Sequence, residues 1–152
     1  MRMLALALFA TAATFVVSGG PMVAAPVPKH LMKDAENPDL AAMQGEWELT
    51  TMNVDGESMS ALEATLEVRG NISRTTIGHL HSSCVFTLDT TNNPRRMISL
   101  DSTNPNAKAT VAIYKIEGDT LTIADCRDYP EKPPEEFSGE GITALIYTRV
   151  RK

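Results

Sequence analysis

Three side chains near the middle of the sequence have the types and spacing of metal ligands. His79 and His81 are two residues apart, so they would share one face of a strand, and Cys84 follows closely. Imidazole nitrogen and thiolate sulfur together favour zinc or copper. The local sequence offers no fourth ligand, and histidines beside serines are commonly solvated. The segment therefore predicts either an incomplete metal site or a plain surface loop.

The chain contains two cysteines, Cys84 and Cys126. Exported proteins commonly oxidise such a pair. In a series of up-and-down strands, both residues fall at the same end of the sheet, which favours a disulfide. Side-chain parity opposes it, because Cys84 alternates in phase with Phe86, whereas Cys126 is out of phase with Ile123. Both alternatives stay open at the level of the sequence.

No catalytic motif stands out in the chain. It has no glycine-rich phosphate loop, no Gly-x-Ser-x-Gly elbow and no His-Glu-x-x-His pattern. The acids from Asp125 to Glu136 alternate with basic residues and prolines, which is typical of a solvated loop rather than of a catalytic pair. We therefore expect a protein that is not an enzyme and that needs no cofactor.

The single tryptophan opens the first strand of the predicted fold. Within residues 45–54, Trp47 and Leu49 alternate with glutamates, and this period of two indicates a strand with one dry face. The preceding Asn-Pro-Asp at 37–39 supplies a capping asparagine, a proline at the first helical position and an acid in the first turn. These residues predict a short helical turn over Asp39–Met43.

The rest of the chain alternates short apolar periods with turn residues. A second short helix is expected over Ser58–Ala64. Period-two alternation and turn residues predict further strands at 66–69, 72–77, 84–89, 97–101, 109–117, 120–126 and 142–151. These features predict an all-β fold: an eight-stranded antiparallel up-and-down barrel with one or two short helices.

Closure of such a barrel places the beginning of the first strand beside the end of the last. Gly45 and Trp47 would then lie close to Arg149 or Arg151. A guanidinium group over the indole face would contribute ~0.5–2 kcal/mol and would close the floor of the barrel. The alternative is a tryptophan that belongs only to the core, with both arginines in solvent.

The same alternation identifies the side chains that face the barrel interior. They are mainly apolar: Trp47, Leu49, Leu66, Val68, Phe86, Leu88, Tyr114, Ile116, Leu121 and Ile123. We expect a small apolar cavity opening opposite Trp47, flanked by the turns at Gly56, 90–96 and Gly118, with Tyr114 available for a hydrogen bond. The expected function is the binding of a small apolar ligand. The alternative is a structural or protein-interaction module of the cell envelope with a filled barrel.

Residues 1–25 have the pattern of a secretory signal peptide. Arg2 precedes an apolar run over residues 3–17, and small residues follow. The run is shorter than the ~20 residues of a membrane span. We therefore expect an exported protein, periplasmic or extracellular, with no membrane span after cleavage. Loss of Arg2 changes the formal net charge from -5 to -6, which argues against nucleic acid as a partner.

The segment between the leader and the first helix has no periodicity. Residues 26–38 contain three prolines and predict a flexible linker. The predicted barrel domain then spans residues 39–152, a length that allows one domain.

Several motifs follow one another along residues 40–151. They are Leu40–Trp47 with Val54-Asp55-Gly56, then Ile98-Ser99-Leu100, Ile113–Leu121 and Pro134–Ser138. The series resembles a large family of uncharacterised exported proteins from planctomycete bacteria that carry a lipocalin-like domain. Gly45-Glu46-Trp47 also resembles the Gly-x-Trp opening of lipocalins, in which an arginine near the end of the last strand covers the tryptophan. The resemblance implies a barrel and an export signal, and it implies no activity.

Overall fold

The computed structural model of the protein describes residues 37–60, 63–104 and 106–151. The predicted signal peptide and residues 26–36 of the predicted linker lie outside these ranges. The described elements are α1 Pro38–Met43, β1 Gly45–Val54, β2 Glu57–Ser60, β3 Ala64–Arg69, β4 Ile72–Ile77, β5 Leu80–Asp89, β6 Arg95–Asp101, β7 Thr110–Glu117, β8 Thr120–Cys126 and β9 Ile142–Arg149. Among the described residues, no helix has the length and apolar character needed to cross a bilayer.

The strands form an antiparallel meander that closes on itself. Each strand from β3 to β8 pairs with the next, and β1 pairs with both β3 and β9. The eight-stranded antiparallel barrel predicted from the sequence is therefore confirmed. The additional strand β2 pairs with β1 from Thr51 to Val54, beyond the point where β3 runs alongside β1.

The second helix predicted over Ser58–Ala64 is wrong. Glu57–Ser60 is a strand, and Ala64 already begins β3. The cause lies in the preceding turn, where Asp55 and Gly56 both have positive φ, 55° and 82°. Two such residues form the tight turn of a hairpin, so the chain folds back along β1 and the strand pairing overrides the helical spacing.

The helix α1 agrees with its prediction and closes one end of the barrel. The Asn37 side chain accepts a hydrogen bond from the Asp39 backbone N–H at 2.9 Å, and Pro38 stands in the first turn. Pro38 therefore belongs to the helix rather than to the predicted linker. Met43 is 1% exposed and belongs to the main core, against which Leu40 also packs. The helix is thus seated on the barrel as a floor.

A second, smaller core lies on the outside of β7, β8 and β9. Ile113, Ala124 and Ala144 alternate out of phase with the inward side chains and are buried together, with Phe137 packed against them. Phe137 belongs to the proline-rich loop over residues 127–141. One outer face of the barrel is therefore covered by this loop.

The proline-rich loop is tied to the β1–β2 turn by a single carboxylate. Asp55 accepts hydrogen bonds from Arg127 at 2.8 and 2.9 Å and from the Gly141 backbone N–H at 2.8 Å. The Gly141 hydrogen bond, followed by that of Arg127, holds the pKa of Asp55 below its ordinary value. Both ends of the loop are thereby fixed at the end of the barrel away from α1.

Candidate functional site

The floor of the barrel is built around Trp47, which is fully buried. Its indole N–H donates to the Met43 carbonyl at 2.8 Å. Arg149 pairs with Trp47 across β1 and β9, and its guanidinium carbon lies 4.1 Å from the ring centroid. The same guanidinium donates to the Gln44 carbonyl at 2.7 Å and to the Ala42 carbonyl. Of the two arginines named from the sequence, Arg149 is the one that covers the tryptophan.

The other two floor residues indicated by the sequence, Arg151 and Gly45, have different roles. Arg151 pairs with Asp119 in the β7–β8 turn rather than with the indole. Gly45 has a φ of 115°, and a Cβ there would lie 3.4 Å from the Arg149 Nη1 atom. A side chain at this position would be strained by the positive φ, and its Cβ would already be in van der Waals contact with the guanidinium. Glycine therefore allows β1 to begin directly beside Arg149.

Tyr114 connects the floor helix to the barrel wall. Its hydroxyl donates to Asp39 at 2.7 Å, and Arg95 donates to both oxygens of the same carboxylate at 2.8 and 2.7 Å. Burial, together with the hydrogen bond to Asp39, raises the pKa of Tyr114 above its ordinary value. Unlike the sequence-based expectation, the hydroxyl is engaged by α1 at the floor and does not point to a ligand.

The mouth of the barrel is formed by other turns than those predicted. β5 and β7 end at the floor, so the turns at 90–94 and Gly118-Asp119 lie beside α1, and the prediction that they flank the mouth is wrong. The mouth is surrounded by Gly56, the Gly78-His79 turn and the connections that follow β6 and β8. The physical reason is strand direction: β1 leaves α1, and in the antiparallel order that follows, β5 and β7 run back toward it.

A cavity of about 150 Å³ lies inside the barrel. A dry cavity of about this size accommodates one benzene-sized molecule. Its lining residues are Met43, Leu66, Val68, Ser73, Thr75, Cys84, Phe86, Met97, Ser99, Leu121, Ile123, Leu145 and Tyr147. Five of the predicted interior residues do not line the cavity and belong to the apolar core or pack against it: Trp47, Leu49, Leu88, Tyr114 and Ile116.

Part of the cavity lining is polar and does not belong to the interior residues predicted from apolar alternation. Ser73 and Thr75 come from β4, Cys84 from β5 and Ser99 from β6. Antiparallel register pairs Ser73 with Cys84, so these two side chains share the inner face. The sequence signal for this polar part of the lining is a small polar residue at a position where the strand alternation places apolar residues inside.

Tyr147 brings a further hydroxyl to the cavity from β9. The residue is 3% exposed, and its hydroxyl has no hydrogen-bond partner within the described ranges. Burial, with a smaller contribution from the charge of Asp125, raises the pKa of Tyr147 to about 12. The hydroxyl belongs to the lining of the cavity, so it is available for a hydrogen bond with a polar group or a water molecule there.

Asp125 is an inward-facing carboxylate at the mouth side of the cavity. It lies in phase with Leu121 and Ile123 on β8 and pairs with Thr143 on β9. Burial raises the pKa of Asp125 above its ordinary value. The acids and prolines around it predict a solvated position for Asp125, whereas one more step of the β8 alternation beyond Ile123 places it inside.

The structure does not bring the predicted metal ligands together. His79 lies in the β4–β5 turn, and the His81 Nδ1 atom is 3.1 Å from the Thr76 hydroxyl. Cys84, three residues beyond His81 in β5, faces the cavity, so the two side chains lie on opposite faces of the strand. No metal-binding group of three or more His, Cys, Asp or Glu residues occurs among the described residues. The predicted site is wrong because β5 begins at Leu80.

Both cysteines are free thiols, so the disulfide alternative is not the one adopted. Cys84 faces the cavity, whereas Cys126 ends β8 in phase with the outward Ala124. The two thiols therefore lie on opposite faces of the barrel wall, as the strand alternation predicts, and this separation prevents a disulfide. Burial, followed by the charge of Asp101, raises the pKa of the Cys84 thiol, which lowers its reactivity.

A row of apolar side chains is exposed on the outer face of β4, β5 and β6. Register pairs Ile72 with Val85, and Val85 with Leu100. Ile72 and Leu100 are 46% and 47% exposed, and Ile98 on the same face of β6 is 38% exposed. Adjacent apolar side chains in solvent are a feature of interaction surfaces.

Comparisons of the chain with protein-family models, with curated proteins and with solved structures find no match. The motif resemblance described above therefore stays a prediction. The barrel architecture is consistent with a lipocalin-like fold.

Proposed function

We propose that this protein is an exported, lipocalin-like binding protein that holds one small, mainly apolar molecule in its barrel and performs no catalysis. The observation that supports the proposal best is the cavity of about 150 Å³, whose floor end is lined by Met43 of α1. Binding sites are typically concave and apolar, with a few polar groups. Phe86, Leu121 and Tyr147 give this cavity that character.

The size of the cavity limits the ligand to about one ring or a short chain. Pockets for drug-sized ligands have volumes of about 300–1,000 Å³. This lumen is smaller, so a larger molecule would have to extend through the mouth. The export component of the proposal depends on the signal-peptide pattern of residues 1–25, and loss of that segment from protein recovered outside the cytoplasm would test it by intact mass.

Titration with fluorobenzene, followed by fluorine NMR, tests the binding proposal. The wild-type domain is expected to bind the probe with a dissociation constant near or below about 1 mM, equivalent to about -4 kcal/mol. Ser99→Phe adds a ring inside the lumen and should abolish binding. Ile98→Phe adds a ring to the same strand on the outside and should leave binding unchanged, since Ile98 does not line the cavity.

Circular dichroism should show that both variants keep the strand content of the wild type. If Ser99→Phe does not fold, the smaller Thr75→Leu fills part of the same space and should weaken binding by several-fold. Equal binding by wild type and both filling variants, or no binding at about 5 mM, would contradict the proposal.

The second candidate is a structural or protein-interaction module of the cell envelope. The exposed outer row of Ile72, Leu100 and Ile98 favours it. The same titration separates the two candidates. An interaction module of this kind binds no small apolar probe in its lumen, whereas a binding protein does.

A further inference from the structure

The charge distribution around the cavity mouth is one-sided. Asp125 and Asp101 both take inward positions in the register of their strands, Asp125 beyond Ile123 and Asp101 opposite Cys84. In the described strands, no inward position between the cavity and the mouth is a lysine or an arginine. An entering molecule therefore meets negative charge that no strand residue neutralises.

The carboxylates of Asp101 and Asp125 differ in their hydrogen-bond partners. Asp101 accepts hydrogen bonds from the Thr103 backbone N–H and hydroxyl at 2.7 and 2.6 Å, so it caps the following turn. Asp125 has no such partner among the described residues, and burial raises its pKa. Arg127, two residues further on, donates to Asp55. Asp125 is thus a partly desolvated carboxylate that lacks a counter-charge.

A second polar group is directed at the same space. Tyr147 is 3% exposed and lines the cavity, and its hydroxyl has no protein partner within the described ranges. The negative charge of Asp125 contributes to the raised pKa of Tyr147, so the two groups are close enough to interact electrostatically. Asp125 stands two residues beyond Ile123, about 7 Å further toward the mouth. The hydroxyl and carboxylate thus lie along one path.

We propose that the ligand is a small organic amine, whose ring or short chain fills the cavity and whose ammonium group binds Asp125 at the mouth. This inference rests on the proposed lumen-binding function. An ammonium group has donors and no acceptor, so it supplies hydrogen atoms both to the carboxylate and to the Tyr147 oxygen. A carboxylate ligand of the same size would be repelled by Asp125 and Asp101. The negative net charge of the chain likewise attracts an ammonium ligand and repels a carboxylate ligand.

Three probes of one size test the ligand class: benzylamine, benzyl alcohol and benzoate. Titration at pH 7, followed by nitrogen–proton NMR of the labelled domain, should give binding in that order. Benzylamine is expected to bind roughly tenfold more tightly than benzyl alcohol, the factor that corresponds to about 1.4 kcal/mol. Asp125→Asn should remove this preference and leave benzyl alcohol binding unchanged. Asp101→Asn is the matched control and should keep most of the preference.

The fold of Asp125→Asn is checked by thermal unfolding. Because burial disfavours the ionised carboxylate, the variant should unfold at pH 7 at or above the wild-type temperature. This difference should narrow as the pH falls through the raised folded-state pKa, since the wild-type group then becomes neutral. A lower unfolding temperature at pH 7 would assign Asp125 a structural role and overturn the inference.

The outcomes separate the two proposals. Equal binding of benzylamine and benzyl alcohol by the wild type, or an unchanged preference in Asp125→Asn, overturns the amine inference and leaves lumen binding in place. Failure of all three probes and of fluorobenzene overturns both.

Discussion

Replacement of Trp47 by alanine is expected to lower the free energy of unfolding by ~3–5 kcal/mol, as large-to-small core substitutions do. The side chain is fully buried, and its removal also takes away the indole hydrogen bond to Met43 and the surface on which Arg149 lies. Since the stability of a domain is ~5–15 kcal/mol, much of it would be lost. Urea unfolding followed by circular dichroism is the suitable measurement, because the variant lacks the fluorescent residue.

Two control variants resolve this cost into its parts. Trp47→Phe keeps an aromatic ring but removes the indole N–H, so it should cost less than alanine and leave the Met43 carbonyl without its partner. Tyr129→Ala removes an aromatic ring that is 58% exposed, and it should change stability by less than ~0.5 kcal/mol. A cost below about 1 kcal/mol for Trp47→Ala would show that the floor is not the anchor of the barrel.

The architecture was predictable because period-two alternation and turn residues act locally. Each hairpin is fixed by its own turn, as at Gly118-Asp119, and the run of consecutive antiparallel neighbours from β3 to β9 leaves few topologies other than a closed meander. The partnership of Trp47 with the end of β9 follows from closure alone. What local signals could not give was β2, because the positive φ at Asp55 commits the chain to a hairpin that helical spacing does not reveal.

The site was less predictable because it depends on register and depth. The alternation along β7 correctly predicts that Tyr114 faces the barrel interior. The residue lies at the floor beside α1, however, so its hydroxyl donates to Asp39 instead of facing the cavity. His81 and Cys84 fell into one hypothesis only because the start of β5 was placed four residues too late. Asp125 lies within the predicted strand over 120–126, but the acids and prolines that follow it make it resemble the solvated acids of the loop rather than an inward side chain. The metal hypothesis depends on where a strand begins, and the roles of Tyr114 and Asp125 depend on how deep each side chain lies in the barrel, and composition determines neither.

Replacement of Asp39 by alanine is expected to loosen the floor helix and to cost about 1.5–3 kcal/mol, the range for hydrogen bonds to charged groups. The carboxylate accepts from the buried Tyr114 hydroxyl at 2.7 Å, so alanine would leave that donor without its partner. The ion pair with Arg95 contributes less, because the Arg95 side chain is 51% exposed and solvent screens the interaction. Urea unfolding monitored by Trp47 fluorescence measures both stability and the environment of the floor.

A double-mutant cycle assigns this cost to its source. If the Tyr114 hydrogen bond dominates, the double variant Tyr114→Phe with Asp39→Ala should lose clearly less unfolding free energy than the sum of the two single variants. The reason is that the second change no longer leaves a buried group without its hydrogen-bond partner. Arg95→Ala should cost under about 1 kcal/mol and should couple weakly with Tyr114→Phe. Strict additivity of Asp39→Ala and Tyr114→Phe would contradict the arrangement, since it would mean that α1 is held by its packing and by the Trp47 and Arg149 hydrogen bonds, without the Tyr114 hydroxyl. A coupled result would instead identify Tyr114 as the residue through which the barrel wall holds its floor, which explains why an inward-facing tyrosine is not available to a ligand.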